Sequence, residues 1–256
     1  MLSARRAQGR PGVVATKSSP TDVVTEADRT AETMIISRIR AERPGDSFLG
    51  EEGGQQGGSA AASPGAVRWI IDPLDGTVNY LYGLPDFAVS IAAEVNGEIV
   101  AGVVHVPERG EVFTAVAGGG AWLRVGGQAA TALRCNRDVP LARALVATGF
   151  GYAAGRRRVQ GAVAAALLPL VRDIRRGGSA AVDLCSVAAG RVDAYYERGV
   201  NYWDIAAGGL IAREAGASMG GLSGRPAGPE LMIAAGPGLF GELNDRLERL
   251  SPLRDE

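Results

Sequence analysis

The sequence predicts a mixed α/β fold of the α+β type, with an antiparallel sheet in the N-terminal half and an α/β subdomain in the C-terminal half. Two observations support this prediction. Strand-like segments follow one another between residues 67 and 117, as in an antiparallel meander. From residue 144 onward, strand-like and helix-like segments alternate, as in an α/β unit. We therefore expect an N-terminal unit at residues 1–140 and a C-terminal unit at residues 141–256.

An amphipathic helix is the first clear element of the N-terminal unit. Between Glu26 and Arg43, apolar residues recur at helical spacing and Pro44 ends the pattern; they are Ala27, Ala31, Met34, Ile35 and Ile39. A short strand is expected at Ser47 to Gly50. The small residues from Gly53 to Gly65 predict a mobile surface loop.

The antiparallel sheet is expected to contain Val67 to Ile71, Phe87 to Val95, Glu98 to Val106 and Glu111 to Ala117. Asn96-Gly97 stands between two of these strands, and this dipeptide is a strong signal for a two-residue hairpin turn. We expect the three glycines at 118–120 to end the sheet.

The C-terminal unit is expected to alternate strands with helices. The predicted strands are Ala144 to Thr148, Val192 to Tyr196 and Leu231 to Ala235. The predicted helices are Arg157 to Leu168, Ser179 to Ala189, Ile205 to Ala215 and a closing helix near the C-terminus.

Composition argues against several classes of protein. With 46% hydrophobic and 21% charged residues, the chain resembles an ordinary folded globular protein. Its formal net charge of −1 gives no overall attraction to nucleic acid or to an anionic membrane. The basic runs Arg156 to Arg158 and Arg175-Arg176 have no interleaved aromatic residues, so we interpret them as solvated faces.

Localisation is predicted from two further features. No apolar run reaches the length of about eighteen residues that a membrane helix needs. Cys135 and Cys185 lie far apart, with no spacing typical of a zinc site or a disulfide framework. We therefore predict a cytoplasmic protein with reduced thiols.

The segment Trp69 to Thr77 carries the strongest chemical signal. A buried strand ends at Asp72, Pro73 keeps Asp72 extended, and the following turn brings Asp75 back beside it. Two carboxylates this close repel each other unless one is protonated or a hard divalent cation binds between them. We favour the cation, and we expect free N–H groups at Gly76 and Thr77 to bind phosphate. The alternative is an ordinary Asx turn at a strand end.

Four other acidic residues have a functional and a structural explanation. Glu51 and Glu52 directly follow the strand that ends at Gly50. Asp28 lies three residues after Thr25, which also matches a helix capping box. Asp204 precedes the helix expected at Ile205, where an N-cap role alone would explain it.

Five segments, in this order and spacing, resemble the inositol monophosphatase family: Lys17 to Glu32, Gly50 to Glu52, Trp69 to Asn79, Gly178 to Glu197 and Trp203 to Gly216. The resemblance covers the chain from about Lys17 to the C-terminus, and Ser179 to Leu184 with Ala194 to Glu197 is similar to the inositol-phosphatase branch. It implies a layered αβαβα sugar-phosphatase fold and a homodimer. It also implies magnesium-dependent, lithium-sensitive hydrolysis of inositol monophosphate.

The resemblance further implies a metal-ligand set. Glu51, Asp72 and the backbone carbonyl of Leu74 would bind one Mg²⁺ ion, and Asp72, Asp75 and Asp204 would bind a second. Metal ions in such a pair activate a water molecule and neutralise the leaving oxygen, so no covalent enzyme intermediate is expected.

Roles in catalysis and substrate binding are carried over in the same way. The implied catalytic residues are Glu51 together with Asp28 and Thr77, which would orient the attacking water. The implied substrate-binding residues lie beside the site, hold the phosphate through amides or contact sugar hydroxyls; they are Lys17, Glu52, Asp75, Gly76, Thr77, Ala180, Glu197 and Asp204.

One departure from the family pattern concerns the start of the chain. Relatives usually begin with a long amphipathic helix, whereas here Gly9, Pro11 and Gly12 interrupt any helix before Lys17. We expect the first helix to be shortened or missing from this sequence.

Other functions stay open on sequence alone. Gly149 to Ala154 matches the dinucleotide-binding fingerprint and precedes an expected helix, so a dehydrogenase is one alternative. Related phosphatase substrates are fructose 1,6-bisphosphate, histidinol phosphate and adenosine 3′,5′-bisphosphate. A non-catalytic partner-binding protein is a third class, and loss of the implied metal ligands would be its signature.

Overall fold

The computed structural model describes residues 1–6, 13–16, 23–57 and 65–254. Within these ranges the helices are α1 (Leu2–Arg6), α2 (Glu26–Glu42), α3 (Thr77–Tyr82), α4 (Ala154–Leu167), α5 (Ala180–Ala188), α6 (Tyr202–Glu214) and α7 (Leu239–Leu250). The strands are β1 (Val13–Thr16), β2 (Val23–Thr25), β3 (Ser47–Gly50), β4 (Gly54–Gln56), β5 (Arg68–Asp75), β6 (Ala88–Val95), β7 (Glu98–Val106), β8 (Glu111–Val116), β9 (Ala121–Val125), β10 (Thr131–Ala132), β11 (Leu145–Thr148), β12 (Asp173–Arg175), β13 (Ala194–Glu197), β14 (Ser218–Gly220) and β15 (Met232–Ala235).

The larger sheet has the strand order β10-β9-β8-β7-β6-β5-β3-β4. The predicted meander is antiparallel throughout, whereas β3 runs parallel to β5. The predicted hairpin joins β6 to β7, and Asn96 (φ 54°) and Gly97 (φ 83°) both adopt the positive φ that a type I′ turn requires.

The predicted end of this sheet is wrong. Gly118 and Gly120 have positive φ angles of 72° and 79° and form a turn, after which β9 returns antiparallel to β8. Glu214 of α6 accepts hydrogen bonds from the N–H groups of both glycines. The glycines therefore supply a tight turn anchored by a carboxylate, and the sheet continues to β10.

The loop predicted for Gly53 to Gly65 is also wrong in part. Gly54–Gln56 forms the edge strand β4, which pairs antiparallel with β3. Residues 58–64 of that range lie outside the described residues. A three-residue strand of glycine and glutamine has no apolar alternation, so its pattern gave no strand signal.

The smaller sheet has the order β12-β11-β13-β15-β14. β11 runs parallel to β12 and β13, and β15 runs antiparallel to β13 and β14. The predicted strands at 144–148, 192–196 and 231–235 correspond to β11, β13 and β15. β12 and β14 were not predicted, since each has only three residues.

Three layers of helices alternate with the two sheets, which confirms the αβαβα architecture. α2 packs on the outer face of the larger sheet, where Ile36 contacts Phe48 and Ile71. α5 and α6 lie between the sheets, and Ala181 and Ala207 share a core with the larger one. α4 and α7 cover the outer face of the smaller sheet.

The predicted apolar face of α2 is confirmed at Ala27, Ala31, Ile35 and Ile39 but is wrong at one position. Met34 is 52% exposed, whereas Ile36 and the acidic residues Asp28 and Glu32 are buried. Before α2, the short helix α1 buries Leu2 in a cluster that includes Ala27. The helix-interrupting residues at 9, 11 and 12 lie outside the described ranges.

Candidate active site

A cavity of about 500 Å³ opens where the end of β5 meets the starts of α3, α5 and α6. Acidic residues from four separate segments line it, together with two arginines. The acidic residues are Glu51, Asp72, Asp75, Glu197 and Asp204. The cavity also includes Leu74, Gly76, Thr77 and Ala180, so nine of the predicted site residues meet in one place.

The end of β5 forms the floor of this cavity. Asp72 pairs with Ser90 and Asp75 with Ala88 across the β5–β6 ladder, so the bulge holds Pro73 and Leu74 between the two aspartates. Asp72 Oδ1 accepts a hydrogen bond from the Leu74 N–H at 3.0 Å. The predicted turn thus directs both aspartates toward the cavity, and the Asx-type bond is part of that turn.

Asp28 links the start of α2 to the cavity through Thr77. Its Oδ2 accepts from the N–H and the hydroxyl of Thr25 at 2.8 and 2.5 Å, which is the capping box named as the structural alternative. Its Oδ1 accepts from the Thr77 hydroxyl at 3.1 Å, and the Leu74 carbonyl lies at the same distance from that hydroxyl. One carboxylate therefore serves both the helix cap and the site.

The helical layer between the sheets orients Asp75. Asp75 Oδ2 accepts from the Ser179 hydroxyl at 2.7 Å and from the Ala181 N–H at 2.6 Å. Ser179 is also the N-cap of α5, since its hydroxyl accepts from the Val182 N–H. Ser179 was not predicted as a site residue, although an N-cap serine was recognisable in the sequence.

Asp204 is not the N-cap of α6 as predicted. The helix begins at Tyr202 with Asn201 as N-cap, which makes Asp204 the third helical residue. Asp204 Oδ2 accepts from the Asn201 N–H at 2.6 Å. Asp204 therefore reaches back over the helix start, and it lines the cavity there.

Glu197 lies at the end of β13 and closes another side of the cavity. Its Oε2 accepts from the Tyr195 hydroxyl at 2.8 Å. Gly149 lies against it, and a Cβ atom at that position would overlap the Glu197 carboxylate. The glycine therefore makes room for the acid.

The acidic residues of the cavity perturb one another. Burial raises the pKa of Asp72 well above its usual value, and the carboxylates of Glu51, Asp75 and Asp204 raise it further. Burial and the charge of Asp75 likewise raise the pKa of Asp204. Burial raises the pKa of Glu197 to about 7. Such crowding of negative charge favours a bound proton or a bound cation.

The donors suit a hard divalent cation. They are carboxylate oxygens plus the Leu74 carbonyl, and no histidine or cysteine is among the described residues that line the cavity; this set is typical of Mg²⁺ or Ca²⁺ sites. In the described part of the chain, no three acidic, histidine or cysteine side chains form a closed metal site. Binding therefore requires the carboxylates to draw closer around the ion.

Comparison of the chain with models of known protein families gives a match over nearly its whole length. The model of the inositol monophosphatase family matches residues 2–251. The chain belongs to the inositol monophosphatase family. It is therefore a phosphoric monoester hydrolase.

Individual relatives span most of the chain. The inositol-1-monophosphatase SuhB of Mycobacterium tuberculosis is 48% identical over 249 residues, with 97% of this chain and 86% of that protein covered. Its solved structure has a TM-score of 0.77, at 45% identity, over 89% of this chain and 85% of that chain. The Nus factor SuhB of Pasteurella multocida is 41% identical over 244 residues, with 93% and 87% covered. SaIMPase-II with bound inositol monophosphate, from Staphylococcus aureus, has a TM-score of 0.74 at 29% identity, over 87% and 84%.

Two predicted residues of this inositol monophosphatase family member do not line the cavity, and a third cannot be placed. Asp28 contacts it only through Thr77. Glu52 is not among the lining residues, and its N–H donates to Glu32 instead. Lys17 lies outside the described residues. Arg156 and Arg176 also line the cavity, although both were interpreted as solvated from the sequence. A run of arginines does not reveal which of its members faces a cavity.

The dinucleotide fingerprint has a different use in this family member. Gly149 to Ala153 lies between β11 and α4, as the fingerprint requires, and lines the cavity. The Glu197 carboxylate lies directly against Gly149, where its negative charge would repel a pyrophosphate. The segment therefore forms part of the phosphatase cavity, which argues against a dehydrogenase.

Among the described helices, none is long and apolar enough to span a membrane.

Proposed function

We propose that the protein hydrolyses myo-inositol monophosphate to myo-inositol and phosphate in a magnesium-dependent reaction. The observation that carries this proposal is the convergence of Glu51, Asp72, Asp75 and Asp204 on one cavity that Glu197 also lines. The first four provide a cation site, and Glu197 provides a charged acceptor for sugar hydroxyls. The names of the mycobacterial and staphylococcal relatives support the same substrate.

The proposed metal ligands follow from the donors in the cavity. Glu51, Asp72 and the Leu74 carbonyl would hold one Mg²⁺ ion, and Asp72, Asp75 and Asp204 would hold a second. When bound, Mg²⁺ supplies Lewis-acid chemistry that acidifies a water molecule and stabilises negative charge on the leaving oxygen.

Thr77 and Asp28 are proposed to orient the attacking water. When the Thr77 hydroxyl donates to Asp28 Oδ1, its oxygen lone pairs face away from Asp28 and can accept from a water O–H. Burial raises the pKa of Asp28, which favours its use as an acceptor for a proton passed through Thr77. Glu51 completes this catalytic group from the turn that follows β3.

Phosphate and sugar are proposed to bind at different helix starts. Gly76 is the N-cap of α3, adopts a φ of 91° and has no side-chain cap, so the N–H groups of Gly76 and Thr77 are available to phosphate oxygens. Glu197, Asp75, Asp204 and the Ala180 amide would contact the ring hydroxyls. Lys17 and Glu52 are proposed to lie beside the phosphate.

Phosphate release from a panel of esters tests this proposal. With Mg²⁺ present, we expect the highest kcat/KM for inositol monophosphate among inositol monophosphate, fructose 1,6-bisphosphate, histidinol phosphate and adenosine 3′,5′-bisphosphate. Li⁺ should inhibit the reaction. No hydrolysis of any ester would refute a phosphatase, while a preference for another ester would refute only the substrate.

A doubly anionic substrate is the second candidate, and two arginines favour it. Arg156 and Arg176 line the cavity, and neither belongs to an ion pair within the described residues. Gly199 and Gly151 leave the space through which the Arg156 side chain passes. Such guanidinium groups would bind a second phosphate, as in fructose 1,6-bisphosphate.

Replacing Arg156 distinguishes these two candidates. If the second phosphate binds there, Arg156→Gln should lower kcat/KM for the bisphosphate by roughly ten- to a hundredfold, the usual loss for a charged hydrogen bond. Inositol monophosphate should change by less than about twofold. Arg158→Gln, on the same helix but outside the cavity, is the matched control. Equal losses for both substrates would exclude a second phosphate site at Arg156.

We also propose a cytoplasmic homodimer that binds no nucleic acid or membrane itself. The net charge of −1 supports the absence of binding to nucleic acid or to an anionic membrane. Light scattering after size exclusion would test the dimer, and a monomeric mass would refute it. The name of the Pasteurella relative raises a partner-binding role, which would have to coexist with the intact acidic cavity.

A further inference from the structure

The turn that carries Glu51 and Glu52 is held by a carboxylate from α2. The Glu52 N–H donates to Glu32 Oε2 at 2.9 Å, and the Gly53 N–H donates to Glu32 Oε1 at 2.8 Å. Glu32 is only 4% exposed. Hydrogen bonds to an ionised acceptor are roughly twice as strong as neutral ones, so both oxygens of Glu32 restrain this backbone.

Two glycines allow the carboxylate to approach so closely. A Cβ atom on Gly50 or on Gly53 would overlap the Glu32 carboxylate. On the other side of the turn, the Glu51 N–H donates to the Ile71 carbonyl of β5 at 3.1 Å. The backbone of Glu51 is thus fixed from two sides, by β5 and by α2.

Glu32 and Asp28 lie one helical turn apart on α2, so both point from the same face. Asp28 contacts Thr77, and Glu32 contacts the turn after β3. Glu32 itself does not line the cavity, although its neighbour across the turn, Glu51, does. Its influence on the cavity must therefore pass through the Glu51–Gly53 backbone.

We infer that Glu32 is a positioning residue that orients the Glu51 carboxylate toward Asp72 for cation binding. This inference rests on the proposed magnesium-dependent function. Residues that orient metal ligands through hydrogen bonds typically change metal affinity by 10–100-fold when replaced. Glu32 should therefore act on the affinity for Mg²⁺ rather than on the affinity for substrate.

The test is Glu32→Gln in the full chain, which retains size but places an amide N–H₂ against one of the two N–H donors. We expect the Mg²⁺ concentration for half-maximal hydrolysis to rise by about 10–100-fold. At saturating Mg²⁺, kcat and the KM for inositol monophosphate should stay within about threefold. Without substrate, the Mg²⁺ concentration for half-maximal thermal stabilisation should rise by a similar factor.

Matched variants separate positioning from general stability. Ile36→Val trims a buried side chain on the same helix and should lower Tm without changing either Mg²⁺ midpoint. Glu42→Gln removes an exposed carboxylate of α2 and should change neither Tm nor the midpoints appreciably. If Glu32→Gln does not fold, Gly50→Ala replaces it, because the three atoms nearest to the added Cβ would all belong to the Glu32 carboxylate, which would be displaced from the turn.

The outcomes are distinguishable. A lowered Tm with both Mg²⁺ midpoints unchanged would overturn the inference and make Glu32 purely structural. A raised substrate KM at saturating Mg²⁺ would overturn it too, because the effect would then lie on substrate binding. If the unaltered protein showed no dependence on Mg²⁺ in either readout, the proposed function itself would fail, together with this inference.

Discussion

Replacing Asp75 with asparagine is expected to reduce turnover by at least about a hundred- to a thousandfold for every phosphate ester, including simple aryl phosphates. A cation that stabilises the leaving oxygen contributes several kcal/mol, and each 1.36 kcal/mol is tenfold in rate. The asparagine oxygen can still accept from Ser179 and Ala181 as Asp75 Oδ2 does. The uncharged NH₂ then faces the cavity, where it cannot bind a cation. Steady-state phosphate release, with Tm as a check on folding, measures this.

Glu197→Gln provides the contrast. The glutamine oxygen can keep the bond from the Tyr195 hydroxyl, so the change removes only the charged acceptor that is proposed to contact the sugar. A site that loses such an acceptor typically forfeits about 1.5–3 kcal/mol, or roughly ten- to a hundredfold. The loss should be large for inositol monophosphate and small for an aryl phosphate without ring hydroxyls. Equal loss on all esters, with Asp75→Asn still active, would reverse the roles assigned to the two residues.

Removing magnesium with a chelator is expected to abolish hydrolysis and to lower Tm. Burial and the neighbouring carboxylates raise the pKa of Asp72 and of Asp204, and a bound cation would offset that cost of ionisation. At a Mg²⁺ concentration a hundred times its Kd, binding adds about 2.7 kcal/mol, or roughly 5–10 °C for a chain of this size. Undiminished hydrolysis after complete metal removal would refute the metal assignment.

The stabilisation of the folded protein by Mg²⁺ should increase as the pH rises. In the metal-free protein, burial raises the pKa of Asp72 and of Asp204, and that of Glu197 to about 7. The folded chain then holds protons that the unfolded chain releases above roughly pH 4, so stability falls as pH rises through the raised values. Bound magnesium would pair with the ionised carboxylates and remove this penalty.

The Tm increase on adding Mg²⁺ should therefore be larger at about pH 8 than at about pH 6. Thermal melts with and without Mg²⁺ at both pH values measure the difference. Asp75→Asn is the control, since it removes one proposed ligand and should show a smaller increase at both. An increase that is equal at the two pH values, or larger at the lower one, would contradict the cation site.

The central part of the site was predictable because local chemistry determines it. Pro73 restricts the backbone between the two aspartates, so the sequence predicts both carboxylates on the same side of the turn. The bulge at the end of β5 directs both of them toward the cavity. The hairpin at Asn96-Gly97 was predictable for the same reason, since few other dipeptides tolerate two positive φ angles.

Features that depend on distant partners were not predictable. Helical periodicity assigned Met34 to the buried face of α2, yet Met34 is exposed and Glu32 is buried. The reason is a pair of N–H donors about twenty residues away, in a turn whose position the helix pattern cannot reveal. Arg156 was likewise indistinguishable from Arg157 and Arg158 until α4 was placed beside the cavity.

The shared use of Asp28 limits how this enzyme can be engineered. Improved helix caps are a common route to thermostable variants and usually leave activity intact. Here the carboxylate that closes the cap of α2 also contacts Thr77, which lines the cavity, so any redesign of the cap moves a group that is proposed to orient the attacking water. Stabilising substitutions are therefore better sought at the other end of the helix or on α7, whose contacts lie on the far side of the smaller sheet.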